Sequence, residues 1–399
     1  MVRKGLIAAT LSAMLVVAPA GAQQAQDTGA PAVELPADNN VLFWTVPQRD
    51  LAFRLFDSVS PAAPISPGVA PMPLNAGTPL GGDAAALDAY FADQRLAGLI
   101  VLQDGAVRYE RYGLGFNAEG RWTSFSVAKS FTSTLVGAAI RDGHIASLSD
   151  PVTRYIPELV GSGYDGVTVA QLLAMSSGVR WNEDYTDPNS DVALFNMQQP
   201  EGGLDPVTAY MRRLPRAHEP GTRWNYNTGE TNLIGVLVER ATGRSLNDYL
   251  AEKVWQTVGM EAEATWILNA GGQEISGCCL QMRLRDYARF GQFVLNDGVT
   301  ANGQRIVPEG WFAAAGTKQA EIGRPGFGYG YQWWTYDDGT FAAQGIFGQG
   351  IFIDPARKLV IVGVGNWPTA TDQRRAMMRI GFYRAVQAHV DAERAGRTP

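Results

Sequence analysis

In the stretch WTSFSVAKSFTSTLVGAAIRDG, Lys129 follows Ser126 by three residues, a spacing that offers a nucleophile and a base to each other. Residues three apart share one face of a helix, so the serine Oγ and the lysine Nζ can meet. If Ser126 starts the helix, the unpaired amides there favour developing negative charge, and its own N–H can face an oxyanion. Lys129 can take the serine proton provided burial keeps its amine partly neutral. The chain strongly prefers arginine to lysine; Lys129 is the only lysine between Lys4 and Lys253, and the only one with a serine three places before it. A solvated lysine on an ordinary helix has the same spacing, and on these residues alone both readings stand. Tyr226 is the second candidate. In EPGTRWNYNTGETNLIG a Pro-Gly turn leads into an aromatic loop at a helix start, from which a tyrosine hydroxyl could relay a proton to a leaving group. Packing in a core or loop is the commoner fate of a lone tyrosine.

Other chemistries lose support from the same residues. His144, His218 and His389 are far apart and lack a metal-ligand spacing such as H-E-x-x-H, so no catalytic metal is expected. There is no phosphate loop, no strand-borne Gly-x-Gly-x-x-Gly and no Gly-x-Ser-x-Gly, which removes nucleotide cofactors and the usual Ser-His-Asp hydrolases. A net charge of −6 argues against a nucleic-acid partner, which would require a basic face.

The elements that must position Ser126 can be read in outline. At 399 residues and 46% hydrophobic content the chain can build one large core or two smaller lobes. Arg3 and Lys4, an apolar run from Gly5 to Val17 and the small residues Ala20-Gly21-Ala22 read as a secretory signal cleaved near Ala22. The expected protein is periplasmic or secreted, without stable membrane insertion after cleavage. Residues 23–82 read as an extended N-terminal segment wrapped over the surface, and 83–399 as the main domain, with a helical lobe over roughly 149–269. Asp104-Gly105 signals a hairpin, Phe125 to Arg141 is helical, and strands return at GYGYQWWTYDDGTFAAQG and GIFIDPARKLVIVGVGN before a closing helix. Strands at both ends with helices between imply a single sheet made from the two ends of the chain. One of Trp333 and Trp334 is expected in the core, since alternation sends them to opposite faces. The neighbouring Cys278 and Cys279 are expected as two buried thiols, because adjacent Cα atoms lie closer than a disulfide usually spans.

Taken in order, Ser126-Val127-Ala128-Lys129, SLSDPVTRYIPEL, VTVAQLLAMSSGV, EPGTRWNYNTGETNLIG and LRDYARFGQFVLNDG resemble serine hydrolases of the class C β-lactamase and penicillin-binding-protein type. Within that superfamily the similarity is to 6-aminohexanoate-dimer hydrolases and family VIII carboxylesterases, over roughly Leu87 to Ala388. The resemblance implies an α/β (α+β) fold: an antiparallel sheet flanked by helices, a helical lobe, and the site between them. It makes Ser126 the nucleophile, Lys129 its base and Tyr226 the catalytic tyrosine, with no cofactor. The third position of the family's Tyr-x-Asn motif is Thr228 here, with Asn227 one place earlier, which leaves the role of that Asn without its usual residue. No Lys-Thr-Gly or His-x-Gly triplet occurs near the C-terminus; Ala343-Gln344-Gly345 takes its place, with Gly345 lining the site and the Ile346 N–H as second oxyanion donor beside that of Ser126. Trp181 and Tyr185, on a loop with Glu183 and Asp184, are expected either to shape the acyl or amine pocket or to pack the loop. The implied activity is cleavage of a small carboxylic ester or amide through an acyl-enzyme. A β-lactamase or DD-peptidase, and a non-catalytic binder of β-lactams or peptides, are the alternatives.

Overall fold

A computed structural model describes residues 33–36 and 40–396. The leader expected over residues 1–22 lies outside them. No helix among the described residues is long and apolar enough to cross a membrane.

The main sheet has eight antiparallel strands in the order β3-β2-β12-β11-β10-β9-β8-β7. β2 (Leu96–Gln103) and β3 (Ala106–Tyr112) come from the N-terminal side. The others are β7 (Ala320–Glu321), β8 (Phe327–Tyr329), β9 (Trp334–Tyr336), β10 (Phe341–Gln344), β11 (Gly350–Asp354) and β12 (Leu359–Gly365). This sheet thus joins the two ends of the chain as expected. Asp104 and Gly105 turn β2 into β3 with φ of 49° and 77°, the double left-handed geometry of a two-residue hairpin.

Alternation explains how the sheet is buried on both sides. Ile100 and Leu102, Ile351 and Ile353, and Val360 and Val362 face the larger core, while Leu99, Val101, Phe352 and Ile361 face a smaller one. Register carries the pattern across strands, with Ile351 opposite Val362 and Val362 opposite Ile100. Helix Leu284–Leu295 covers the first face, where a side chain at Gly291 would collide with Val360. Helix Gln373–Arg394 covers the second, with Tyr383 stacked on Phe352 at 4.2 Å between ring centroids.

Three expectations are corrected. There is a second sheet, in the order β1-β5-β6-β4, made of β1 (Ala62–Ile65), β4 (Trp122–Thr123), β5 (Ala264–Ile267) and β6 (Leu280–Met282). Strands of two to four residues are too short for periodicity to reveal them. The segment expected to be extended holds a helix, Val46–Val59, whose Ala52 and Phe53 are fully buried, and the described residues from Leu35 onward form one compact unit. The helix starts at a capping box in which the Thr45 N–H donates to Gln48 Oε1 at 2.9 Å. The expectation of two separate thiols also fails: Cys278 and Cys279 are joined to each other. Cys279 has a φ of 73°, so the backbone leaves the extended course on which neighbouring side chains point apart.

Candidate active site

Ser126 lies where β4 turns into a helix. Ser124 leaves the strand, Phe125–Val127 form a short 3-10 turn, and helix Ala128–Arg141 follows. Ser126 is half-buried, and the next turn of helix sends Lys129 inward to 1% exposure.

Lys129 Nζ donates to Gly277 O at 2.8 Å and to Thr228 Oγ1 at 3.1 Å. A neutral amine has two N–H bonds, and these two acceptors can take both, leaving its lone pair free to receive a proton. Burial lowers the Lys129 pKa to about 8, against the opposing pull of the Glu183 charge. The amine is therefore partly neutral near neutral pH, which is what a base must be.

The Tyr226 ring lies 5.5 Å from Lys129 Nζ. Burial pushes the phenol far above its ordinary range, the Glu183 charge adds to this, and the Ser126 side chain opposes it. The phenol stays protonated, so of the two groups only Lys129 can start as the base, and Tyr226 can pass a proton along. Trp334 stacks on Tyr226 at 5.6 Å and 21°, and Tyr329 meets it edge-on at 6.1 Å. Trp333 is fully buried, and Trp334 forms part of this wall.

Sequence reasoning gave no role to Glu183, yet this carboxylate organises the site. It accepts hydrogen bonds from Thr228 Oγ1, the Thr228 N–H at 3.0 Å, Tyr185 Oη at 2.7 Å and the Trp181 indole N–H. Thr228 thus receives from Lys129 and donates to Glu183, giving the third motif position a definite contact with the lysine. Asn227 instead caps helix Thr228–Thr242, accepting from the Glu230 N–H at 3.0 Å. The polar tips of Trp181 and Tyr185 both point to Glu183; the Trp181 ring packs in the lobe against Phe195 and Tyr210. A carboxylate set between two amphipathic aromatics in Trp181-Asn-Glu-Asp-Tyr185 was the available signal.

The strand expected to replace the missing triplet runs beside Ser126. A Cβ on Gly345 would lie 2.8 Å from Ser124 O and 3.1 Å from Ser126 N, so only a glycine allows this approach. Gln344 turns away, accepting from Arg379 at 2.6 Å and donating to Tyr336 at 2.9 Å. Ala343 is buried and offers no charge. Ile346 opens the next 3-10 turn.

Behind the site, Glu230 is 1% exposed, accepts from Ser177 Oγ and from Asn227 Nδ2 at 3.3 Å, and burial raises its pKa to about 8. A raised carboxyl favours folding fully below the unfolded value near 4.5, and that contribution is lost as pH rises toward 8. Glu230→Gln is therefore expected to gain in Tm relative to the parent between pH 5 and 8, with a gap that levels off above 8. A gap that does not vary with pH in thermal melts would contradict this.

A strand-to-helix serine with a lysine one turn on, a facing tyrosine and a sheet edge closing over them define the serine hydrolases of β-lactamase and penicillin-binding-protein fold. Residues 84–382 match the family model described as Beta-lactamase, and the chain belongs to that family. It is 32% identical over 308 residues to the 6-aminohexanoate-dimer hydrolase of Paenarthrobacter ureafaciens, covering 73% of this chain and 78% of that one. It is 31% identical over 202 residues to esterase EstB of Burkholderia gladioli, covering 44% of this chain and 50% of the relative. Among solved structures, a Bacillus anthracis protein provisionally named a 6-aminohexanoate-dimer hydrolase superposes with a TM-score of 0.76 at 23% identity, over 91% of this chain and 97% of that one. A family VIII carboxylesterase gives 0.55 at 19% identity, over 73% and 91%. At these identities the structures bear on the fold. The relatives named are hydrolases, and this chain is a serine hydrolase of the same family.

Proposed function

We propose that the protein hydrolyses small linear amides and carboxylic esters through an acyl-enzyme on Ser126. The observation that carries this reading is the buried Lys129 amine, held by Thr228 and Gly277 one turn after a half-buried serine. Ser126 Oγ attacks the carbonyl carbon as its proton passes to Lys129, forming a C–O bond and a tetrahedral oxyanion facing the Ser126 and Ile346 amides. The C–N or C–O bond to the leaving group then breaks, and that group takes a proton relayed through Tyr226. Water repeats the sequence with Ser126 as the leaving group, which restores the free enzyme.

The substrate class follows from what the site lacks. A β-lactam or D-Ala-D-Ala peptide carries a carboxylate, and Ala343-Gln344-Gly345 supplies no cation to hold it. The name of one curated relative, an esterase, agrees with a substrate that lacks this carboxylate. Turnover of p-nitrophenyl butyrate should exceed that of a chromogenic cephalosporin. Dominant cephalosporin hydrolysis would overturn the assignment.

We also propose export, supported by the basic, apolar and small-residue pattern of residues 1–22. N-terminal sequencing of protein recovered from the periplasm should begin near Gln23, and a retained Met1 would contradict it.

A further inference from the structure

We infer that Phe53, on the N-terminal helix outside the matched residues 84–382, is a positioning residue that braces the oxyanion site. The inference rests on the reading that the Ser126 and Ile346 amides receive the oxyanion.

Each of those amides has a phenylalanine in the left-handed region beside it. Phe125, with φ 42°, immediately precedes Ser126, and Phe347, with φ 59°, immediately follows Ile346. They are the only aromatic residues with positive φ among the described residues. A bulky side chain resists this conformation, which persists only where the surroundings over-determine it.

Phe53 supplies those surroundings for both. Fully buried, it meets the Phe125 ring at 4.9 Å and 74° and the Phe347 ring at 5.4 Å and 52°, while Phe125 and Phe347 meet each other at 5.2 Å. One turn earlier on the same helix, the Arg49 guanidinium lies 4.5 Å from the Phe347 ring centroid. Arg49 is anchored in turn, donating to Asn366 Oδ1 at 3.0 Å and Pro368 O at 2.7 Å. The Phe347 N–H donates to Ala370 O at 2.9 Å, and Phe347 O accepts from the Trp367 N–H at 3.0 Å. The two turns come from distant parts of the chain, and this three-ring cluster ties both to one helix. Oxyanion donors act only within a narrow range of distance, so loosening the cluster weakens the transition state more than substrate binding.

The test compares Phe53→Leu and Phe53→Ala with the parent on matched oxo and thiono esters, since sulfur is a poor acceptor for amide donors. Each variant should lose about tenfold in kcat on p-nitrophenyl butyrate with KM changed less than about twofold, and its oxo-to-thiono rate ratio should fall in step. Val386→Ala, buried on the opposite side of the main sheet, controls for general destabilisation and should keep the parental ratio. Should Phe53→Ala not fold, Phe53→Leu carries the test. Folded Phe53 variants that retain the parental ratio would overturn the brace alone. A parent with no preference for the oxo ester would instead overturn the oxyanion reading on which the inference rests.

Discussion

Replacing Ser126 with alanine is expected to lower kcat on p-nitrophenyl butyrate by on the order of 10⁴-fold or more, the scale seen when a serine enzyme loses its nucleophile. The protein should remain folded. Ser126 is half-buried, and the helix that follows is packed by other side chains. Circular dichroism and thermal melts should match the parent. A folded Ser126→Ala enzyme with parental turnover would remove the acyl-enzyme from the account.

Lys129 should show the second largest effect, and its pH dependence identifies it as the base. Lys129→Met keeps the length and apolar packing of the side chain but has no proton acceptor, so kcat should fall by roughly 10³-fold, within the range of a lost general base. Lys129→Arg should be as inactive, because a guanidinium does not give up its proton at these pH values. In the parent, kcat/KM should rise through a midpoint at about pH 8 as the amine deprotonates, and this limb should be absent from the residual activity of Lys129→Met. The Glu183 charge holds the lysine pKa up against burial. Glu183→Gln should therefore move the limb to lower pH, and a shift to higher pH would contradict the electrostatic role given to it. The buried ammonium also opposes folding: because its pKa is depressed from 10.5, the stability present at high pH is lost as pH falls through about 8. Lys129→Met should accordingly melt at or above the parental temperature at pH 7, separating loss of catalysis from loss of fold.

The parts of this site visible in the sequence are those built from local spacing. Ser126 and Lys129 share a helix turn, Asp104-Gly105 forms a hairpin, and the strands bearing Ile351 to Ile353 and Val360 to Val364 alternate between two cores. What the sequence concealed depends on convergence through space. Glu183 acts because Thr228, Tyr185 and Trp181 all aim donors at it, and Thr228 lies on another segment. Helix Val46–Val59 had a local signal in Thr45, Pro47 and Gln48, but the Pro- and Gly-rich stretch after it masked the pattern. Gln344 ends strand β10, while its direction away from the site is set by Arg379 on the C-terminal helix.

The central claim is that Ser126 becomes acylated because Lys129 receives its proton. It is tested most directly by treating folded protein with a fluorophosphonate and mapping the adduct by peptide mass spectrometry. The account predicts one adduct, on Ser126, forming faster as pH rises through about 8 and strongly slowed in Lys129→Met. An adduct on another residue, or an unlabelled Ser126 in the folded parent, would contradict it.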